Sequence, residues 1–420
     1  MLTETQVKTA GWGNTEVQAL RARALAFFEE KGLPEVKNEL YKYSNIQRLF
    51  TENGFRETEL KTATDTLSLP ELPFATSGTL VLYNGVFQPA LSVLPAGVEV
   101  QAAGTILNGS LAAQTFALPE PDAVKALALA TASEGVALLI GENVQVAKPL
   151  LVFSYTDVED ASSLASLHVL TAGKNASASV LMLHAHAAEK RFFAQQVWQY
   201  FTAEGAALRV YDMQNEGPES YTINHFSALQ AANSTFSLTT SSTGSAFMRN
   251  NVRAEHAGEG CHTELNGLFM PSEGQHIDNR TFVGHMFPNC TSDELYKGIA
   301  AANGKGVFNG KVYVARDAQK TNAYQSNKNV LLSREATINS KPELEIYADD
   351  VKCSHGSTTG QLDEQSIFYM QARGIRQAEA RKLLLLAFAN DVFERIPDME
   401  LRAFFETEAG QRFAALYRSR

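Results

Sequence analysis

Residues 310–347 read GKVYVARDAQKTNAYQSNKNVLLSREATINSKPELEIY, and in this stretch three short apolar bursts alternate with polar turns. The bursts at 310–314, 329–333 and 343–347 are each about one strand long and contain β-branched or aromatic side chains, which is typical of β-strands. They begin about 14–19 residues apart, a spacing longer than tight hairpins give and compatible with two or three strands per coil of a solenoid.

The same pattern extends from about Leu151 to His355, with earlier bursts at 177–183, 207–211 and 234–239. Convincing helical periodicity is scarce across these roughly 200 residues, which argues against a βαβ architecture because that needs helices between its strands. A β-sandwich or a β-solenoid remains. The spacing favours the solenoid slightly, since each coil has to bury its apolar face only on the next coil. We therefore predict a mainly β protein.

Helical segments are predicted on both sides of this β region. Residues 16–31 form an N-terminal helix that Gly32 closes, and a second short helix covers about 46–50. Residues from roughly 66 to 135 are expected to be β with some helix. The predicted division of the chain is an N-terminal helical region at 1–65, a mixed connecting region at 66–140, a solenoid core at 141–360 and a C-terminal helical domain at 361–420.

The C-terminal domain is predicted to contain three helices: from Asp363 to Arg373, closed by Gly374, from about 376 to 395, and from Asp398 through roughly Tyr417. The middle helix contains LLLLAF at 383–388, which is apolar nearly all round for two turns. A helix that is apolar on all sides must be covered on all sides, and a domain of roughly 60 residues is too small to do so. We therefore predict that a partner protein covers this helix, with Leu385 as an outward position. The candidate partner-binding residues are Leu383, Leu385, Leu386 and Phe388.

Composition narrows the function classes. The chain has 420 residues with a formal net charge of −10, and an acidic surface repels a phosphate backbone, so nucleic acid is not an expected partner. The longest apolar run, at 383–389, is far shorter than the ~18–20 residues that span a bilayer. The N-terminus lacks a secretory signal pattern, and the three cysteines are widely spaced and odd in number. These features predict a cytoplasmic protein without membrane segments.

The common catalytic and metal-binding motifs are missing from the sequence. The nearest approach to a phosphate-binding loop, at 302–306, has no Ser or Thr after its lysine. No H-E-x-x-H, G-x-S-x-G or C-x-x-C motif is present, and no G-x-G-x-x-G follows a strand. The chain is therefore not expected to be an enzyme, nor to hold zinc or a cluster by itself.

Cys353 and His355 are the leading candidates for metal ligands. On a strand their side chains leave the same face, where a thiol and an imidazole can supply two soft or borderline ligands. Two ligands do not complete a site, so the others would come from elsewhere or from a second chain. The alternative interpretation is a buried structural cysteine beside a surface histidine, and spacing alone favours that alternative.

Other ligand-type residues carry a weaker signal. His184 and His186 share the two-residue spacing, but Glu189, Lys190 and Arg191 follow them and indicate an exposed strand end. Of the remaining residues, His256, Cys261 and His262 could face different sides of one strand, and Cys290 follows a Pro-Asn turn. No role is assigned to these residues.

Residues 304–314, GKGVFNGKVYV, resemble the most recognisable segment of the SufB/SufD family of the Suf iron–sulfur cluster assembly system. Gly356 follows the shared histidine, His355, where SufB-type chains have glutamate, so the resemblance is to the SufD branch. At Tyr41 the family more often has tryptophan, and the tyrosine keeps an aromatic packing residue there. Further similar segments are 32–34, 39–43, 318–325, 329–333, 341–346, 348–356, 360–364 and 368–375.

This resemblance implies a right-handed parallel β-helix between helical N- and C-terminal domains. It also implies partners: a SufB-like subunit at the β-helix end, a SufC-like ATPase at the C-terminal helices, and a homodimer as an option for the isolated chain. The cargo would be iron or a transient iron–sulfur cluster at the SufB interface, with none held by this chain alone. His355 and Cys353 would be inter-subunit ligands, and the protein would assist iron entry and cluster formation.

Two other functions are alternatives to the SufD-type role. A SufB-type self-contained scaffold would hold a reconstituted cluster by itself. A stand-alone β-helix enzyme acting on polysaccharide would need a cleft lined with carboxylates. Asp349 and Asp350 form an acidic pair in the matched region, but the neighbouring Lys352 and Cys353 do not suit glycoside chemistry.

Overall fold

A computed structural model describes residues 12–57, 67–120, 122–187 and 190–416, and in it the middle of the chain forms a parallel β-solenoid. The strands are β1 (Arg56–Glu57), β2 (Gly78–Tyr83), β3 (Val86–Phe87), β4 (Val98–Ala102), β5 (Val136–Ile140), β6 (Leu150–Thr156), β7 (Ser162–Ala172), β8 (Ser177–His186), β9 (Phe192–Thr202), β10 (Ala207–Glu216), β11 (Ser220–Gln230), β12 (Thr235–Gly244), β13 (Phe247–His256), β14 (His262–Phe269), β15 (His276–His285), β16 (Thr291–Ala300), β17 (Lys305–Val314), β18 (Asn322–Leu331), β19 (Thr337–Ile346) and β20 (Lys352–Gly360). The helices are α1 (Thr15–Lys31), α2 (Ile46–Glu52), α3 (Ala103–Ile106), α4 (Gly109–Thr115), α5 (Ala123–Thr131), α6 (Glu364–Ala372), α7 (Gln377–Phe393) and α8 (Met399–Leu416), with short 3₁₀ helices at Glu39–Tyr41 and Pro89–Leu91.

Successive long strands alternate between two sheets. Sheet A runs β4-β5-β7-β9-β11-β13-β15-β17-β19, and sheet B runs β3-β2-β6-β8-β10-β12-β14-β16-β18-β20. From β5 in sheet A and β2 in sheet B onward, neighbouring strands are parallel. At the N-terminal end of the solenoid, β4 pairs antiparallel with β5, and β3 pairs antiparallel with β2. This topology confirms the predicted mainly β solenoid with helical terminal regions and excludes the sandwich.

The solenoid buries one row of side chains per strand between the two sheets. Because neighbouring strands pair in parallel and in register, residues at equivalent positions stack into columns along the solenoid. One such column on sheet B is Val210, Leu238 and Leu265, all fully buried in the main apolar core. Each coil thus covers the apolar layer of the one before it.

Local signals predicted the helix ends correctly. Gly32 has φ +65° and its N–H donates to Phe28 O, so it closes α1 where a left-handed residue is needed. The Asp363 side chain accepts from the N–H groups of Gln365 and Ser366 at the start of α6, and Gly374 has φ +85° beyond its end. The expected end of the last helix at Tyr417 and the expected boundary at residues 65 and 66 lie outside the described residues. The proposed domain division stays a prediction.

The N-terminal segment covers the outer face of sheet A through Tyr41. Its hydroxyl donates to Asp122 Oδ1 at 2.6 Å, and the Arg249 guanidinium lies 4.2 Å from its ring centroid. Asp122 also accepts from the backbone N–H groups of Val124 and Lys125 at the start of α5. The tyrosine, which stands where the family more often has tryptophan, therefore joins α5 to sheet A as well as packing.

We expect Tyr41→Phe to lower the free energy of unfolding by about 1–3 kcal/mol, because the half-buried carboxylate of Asp122 loses a hydrogen-bond donor. Urea denaturation monitored by circular dichroism measures this change, with the m-value checked for constancy. Tyr43→Phe is the matched control, since Tyr43 is 38% exposed. Equal losses of stability in the two variants would contradict the role assigned to the Tyr41 hydroxyl.

The C-terminal helices pack on the outer face of sheet B. Leu385, 0% exposed, lies in one apolar cluster with Leu181 and Leu268 of that face. Lys297 of β16 donates to Phe388 O at 2.6 Å and pairs with Asp391. The prediction that Leu385 faces outward is therefore wrong: the chain's own solenoid covers this side of the helix, a contribution that the argument from a small terminal domain omitted.

Within the described ranges, none of the helices combines the length and the apolar character required to cross a lipid bilayer.

Candidate functional site

The solenoid ends at β19 and β20, each of which pairs with a neighbouring strand on one side only. Both sheets therefore present an edge of backbone N–H and C=O groups at this end, which we call the open end. Along β20 every residue is exposed except Cys353, which is half-buried. Ser357 Oγ donates to Ser340 Oγ at 2.7 Å and joins the two edge strands. An open edge of this kind can pair with another chain.

Polar side chains replace apolar ones in the buried column as it approaches the open end. The column continues from Leu265 through Glu294 and Gln325 to His355, one residue per coil. Glu294 Oε2 accepts from Thr281 Oγ1 at 2.6 Å, and Glu294 Oε1 accepts from Gln325 Nε2 at 3.2 Å. Burial raises the pKa of Glu294 to about 7.

His355 and Cys353 occupy inward positions on β20, as their two-residue spacing predicts for a strand. His355 is exposed, because no further coil covers it, and it makes no hydrogen bond to a described residue. Cys353 packs against the apolar cluster that contains Val312 and Ala323. Burial raises the pKa of the Cys353 thiol, so the thiol form is favoured in this chain by itself. The imidazole is thus the more available ligand of the two.

Large apolar side chains are exposed close to these residues. Ile346 ends β19 and Tyr347 follows it, while Tyr324 lies on β18 beside Ser354. The Tyr347 ring centroid is 5.7 Å from that of Tyr313 on the neighbouring strand β17. Exposed aromatic and aliphatic groups beside an unpaired sheet edge are typical of a protein–protein interface.

His184 has a structural partner inside the solenoid. Its side chain is 7% exposed, and Nε2 lies 2.8 Å from Asp212 Oδ1. Burial opposes the charged form, but the Asp212 carboxylate outweighs it and raises the pKa of His184. The prediction of an exposed strand end is wrong for this side chain. His186 is half-buried with Nδ1 3.0 Å from Ala187 O, and Glu189 lies outside the described residues.

Cys261 and Cys290 are both buried and follow equivalent turns of successive coils. Their thiols lie 3.2 Å and 3.4 Å from the same oxygen, Gly258 O. The expectation that His256, Cys261 and His262 share one strand is wrong: His256 ends β13 of sheet A, and His262 begins β14 of sheet B. His262 is half-exposed, and His256 Nε2 lies 2.9 Å from Thr263 Oγ1.

Across the part of the chain that the structure describes, no group of three or more His, Cys, Asp or Glu side chains has a geometry that could hold a metal ion. The candidate ligands at the open end are therefore two residues, Cys353 and His355.

Sequence reasoning missed Glu294 and Gln325. Each lies on a segment with alternating polar and apolar residues, and alternation does not tell which polar residue faces inward. The signal that could have found them is the coil repeat: aligning successive strands places both residues in the column of His355.

Comparisons with known proteins agree over most of the chain. The family "SUF system FeS cluster assembly, SufBD core domain" matches residues 154–388, and "SufBD protein N-terminal region" matches residues 4–152. The iron-sulfur cluster assembly protein SufD of Escherichia coli is 30% identical over 391 residues, which are 91% of this chain and 89% of that protein.

Two further relatives extend the comparison. A SufBD family iron-sulfur cluster assembly protein of Synechocystis is 28% identical over 87% of this chain and 84% of its own length. The chloroplastic protein ABCI7 of Arabidopsis thaliana is 37% identical over 50% of this chain and 45% of its own length. The chain therefore belongs to the SufBD family of iron–sulfur cluster assembly proteins, and within that family it is SufD-like.

Proposed function

We propose that this chain is a scaffold subunit that pairs with a SufB-like subunit through the open end and contributes His355 to a site where iron enters a nascent cluster. The observation that carries this proposal is the position of His355, exposed on the inward face of β20 between two unpaired sheet edges. A partner with matching edges would continue the solenoid across the junction and enclose the imidazole.

The chemistry required of this chain is ligand supply. A neutral imidazole binds iron near pH 7, and a partner's side chains would complete the coordination. Cys353 becomes a ligand only when it loses its proton, which a bound metal would favour. Iron or the cluster is the cargo of the assembly, none is held by this chain alone, and the chain itself is not an enzyme. We propose that the protein acts in the cytosol.

We further propose that a SufC-like ATPase docks on the C-terminal helices. Their outer side exposes Phe368 (72%) and Tyr369 on α6 and Leu383 (39%) on α7. Leu386 and Phe388 are half-buried against the cluster over sheet B, so they are at most peripheral to such a surface. The contact of Lys297 with α7 would connect the docked ATPase to a strand two coils from the open end.

The first test is co-purification. A tagged chain purified from its native host is expected to elute with a SufB-like subunit and a SufC-like ATPase, and the three are identified by mass spectrometry. Purified alone, the chain is expected to form at most a homodimer through the open end, because two copies present the same edges. Recovery of the native protein without either partner would contradict the scaffold proposal.

Reconstitution distinguishes the SufB-type alternative. We expect anaerobic incubation of the isolated chain with iron and sulfide to give no stable visible absorption, since its three cysteines are fewer than the four thiolates that conventional clusters use. A strong chromophore that Cys353→Ala removes would favour a self-contained scaffold.

A further inference from the structure

Gln325 lies beside His355 in the buried layer of sheet B. The two residues are register partners on β18 and β20, so their backbones are about 4.8 Å apart and their side chains leave the same face. Gln325 is buried, whereas His355 is exposed and makes no hydrogen bond to a described residue. The fold therefore places one buried amide next to the imidazole.

Glu294, on the preceding coil, sets the orientation of that amide. Glu294 already accepts from Thr281 Oγ1 on Oε2, and it accepts from Gln325 Nε2 on Oε1. Above its pKa of about 7 the Glu294 carboxylate can only accept hydrogen bonds, so the NH₂ group of Gln325 then has to face Glu294. The carbonyl oxygen, Gln325 Oε1, is buried and has no hydrogen-bond partner among the described residues. An unsatisfied buried carbonyl is costly, and a donor beside it would be stabilising.

Sheet A leaves room for the amide on the opposite side of the interior. A Cβ atom added to Gly310 would lie 2.4 Å from Gln325 Nε2 and 2.9 Å from its Cδ. No real Cβ approaches another atom so closely, so the Gln325 amide occupies the space that a side chain at position 310 would take. Glycine at this position thus lets Gln325 cross the interior of the solenoid.

We propose that Gln325 is a positioning residue for His355: its side-chain oxygen accepts a hydrogen bond from one ring N–H and leaves the other ring nitrogen free as a ligand. A neutral imidazole has one N–H and one lone pair, so a hydrogen bond to a fixed acceptor selects the tautomer and orients the ring. The inference rests on the proposed role of His355 as a ligand. In it, Glu294 orients the Gln325 amide and Gly310 leaves the space that the amide occupies.

The tautomer of His355 tests this inference without any bound metal. The isolated chain labelled with ¹⁵N-histidine is studied by long-range ¹H–¹⁵N correlation at pH 8, above the pKa of Glu294, and His355→Ala assigns the signal. We expect one tautomer in the unmodified chain and a mixture of both in Gln325→Met, which keeps the side-chain length without the acceptor. Gly310→Ala is expected to produce the same mixture by displacing the amide.

Asn327→Leu is the matched control. Asn327 is also a buried amide on β18, but its register partner is Ser357, so its loss is expected to leave the His355 tautomer unchanged. An unchanged tautomer in Gln325→Met, or a mixture in Asn327→Leu equal to that in Gln325→Met, would overturn the positioning role. Should Gln325→Met fail to fold, Gly310→Ala decides the question by itself.

Iron binding by the complex separates this inference from the proposed function. We expect Gln325→Met to weaken iron retention by about tenfold, the usual effect of losing a group that orients a ligand. If Gln325→Met shows a mixture of tautomers while the complexes of Gln325→Met and His355→Ala both keep a normal iron content, the ligand role of His355 is refuted and the hydrogen bond to Gln325 stands. If Gln325→Met keeps a single tautomer while His355→Ala loses iron, only the positioning role of Gln325 is refuted.

Discussion

Replacement of His355 by alanine is expected to leave the complex with SufB-like and SufC-like partners intact while lowering its iron content about tenfold or more. The side chain is exposed at the open end and has no hydrogen bond to a described residue, so its removal should change the stability of the chain by less than about 0.5 kcal/mol. A ligand at an inter-subunit site, in contrast, cannot be replaced by a methyl group. Complex yield and iron per complex, measured on the same preparation, check this expectation.

Two further variants on the same strand act as controls. Ser354→Ala alters the neighbouring residue on the opposite face of β20, and it should preserve both yield and iron content. Cys353→Ala should have a milder effect than His355→Ala, because the thiol packs against the apolar cluster at the end of the solenoid. If yield and iron fall together in His355→Ala, the residue is structural. If both stay normal, the site lies wholly on the partner.

Phe368→Glu is expected to abolish association with the ATPase without lowering the unfolding temperature of the chain. Phe368 is 72% exposed on α6, so a carboxylate there stays in water and costs the fold little. At a docked interface the same carboxylate would be desolvated without a partner, which typically costs several kcal/mol. Co-purification of the ATPase and thermal unfolding followed by circular dichroism measure the two effects separately.

Leu385→Glu is the contrasting variant. Leu385 is fully buried between α7 and sheet B, so a charge at this position is expected to cost about 3–5 kcal/mol and to detach the C-terminal helices from the solenoid. Both variants would lose the ATPase, but only Leu385→Glu would also lose stability. Retention of the ATPase at unmodified levels by Phe368→Glu would place the docking surface elsewhere on the chain.

The candidate site was predicted only in part. His355 and Cys353 were identified from their spacing and from the family resemblance, and the structure places both on the inward face of the last strand. Glu294 and Gln325 were not predicted, because a shift of one residue in strand register would turn each of them to the outer face. Leu385 was assigned to the wrong side of its helix, since an all-round apolar run does not show which neighbour covers which side.

The sequence by itself determined the features that depend on neighbouring residues. Glycine at 32 and 374 and aspartate at 363 mark helix ends because they act on the backbone groups adjacent to them. Strand-length alternation likewise identified the β region, although it favoured the solenoid over the sandwich only slightly, as the period of two is common to both folds.

Only the tertiary structure decided which residues meet. Glu294 and Gln325 are 31 residues apart in the chain, and they hydrogen-bond because parallel, in-register pairing brings equivalent positions of successive coils to about 4.8 Å. Sheet B likewise decided the orientation of Leu385 by covering one side of α7. These contacts depend on the summed pairing and burial energies of many residues distant in sequence, so no local segment encodes them.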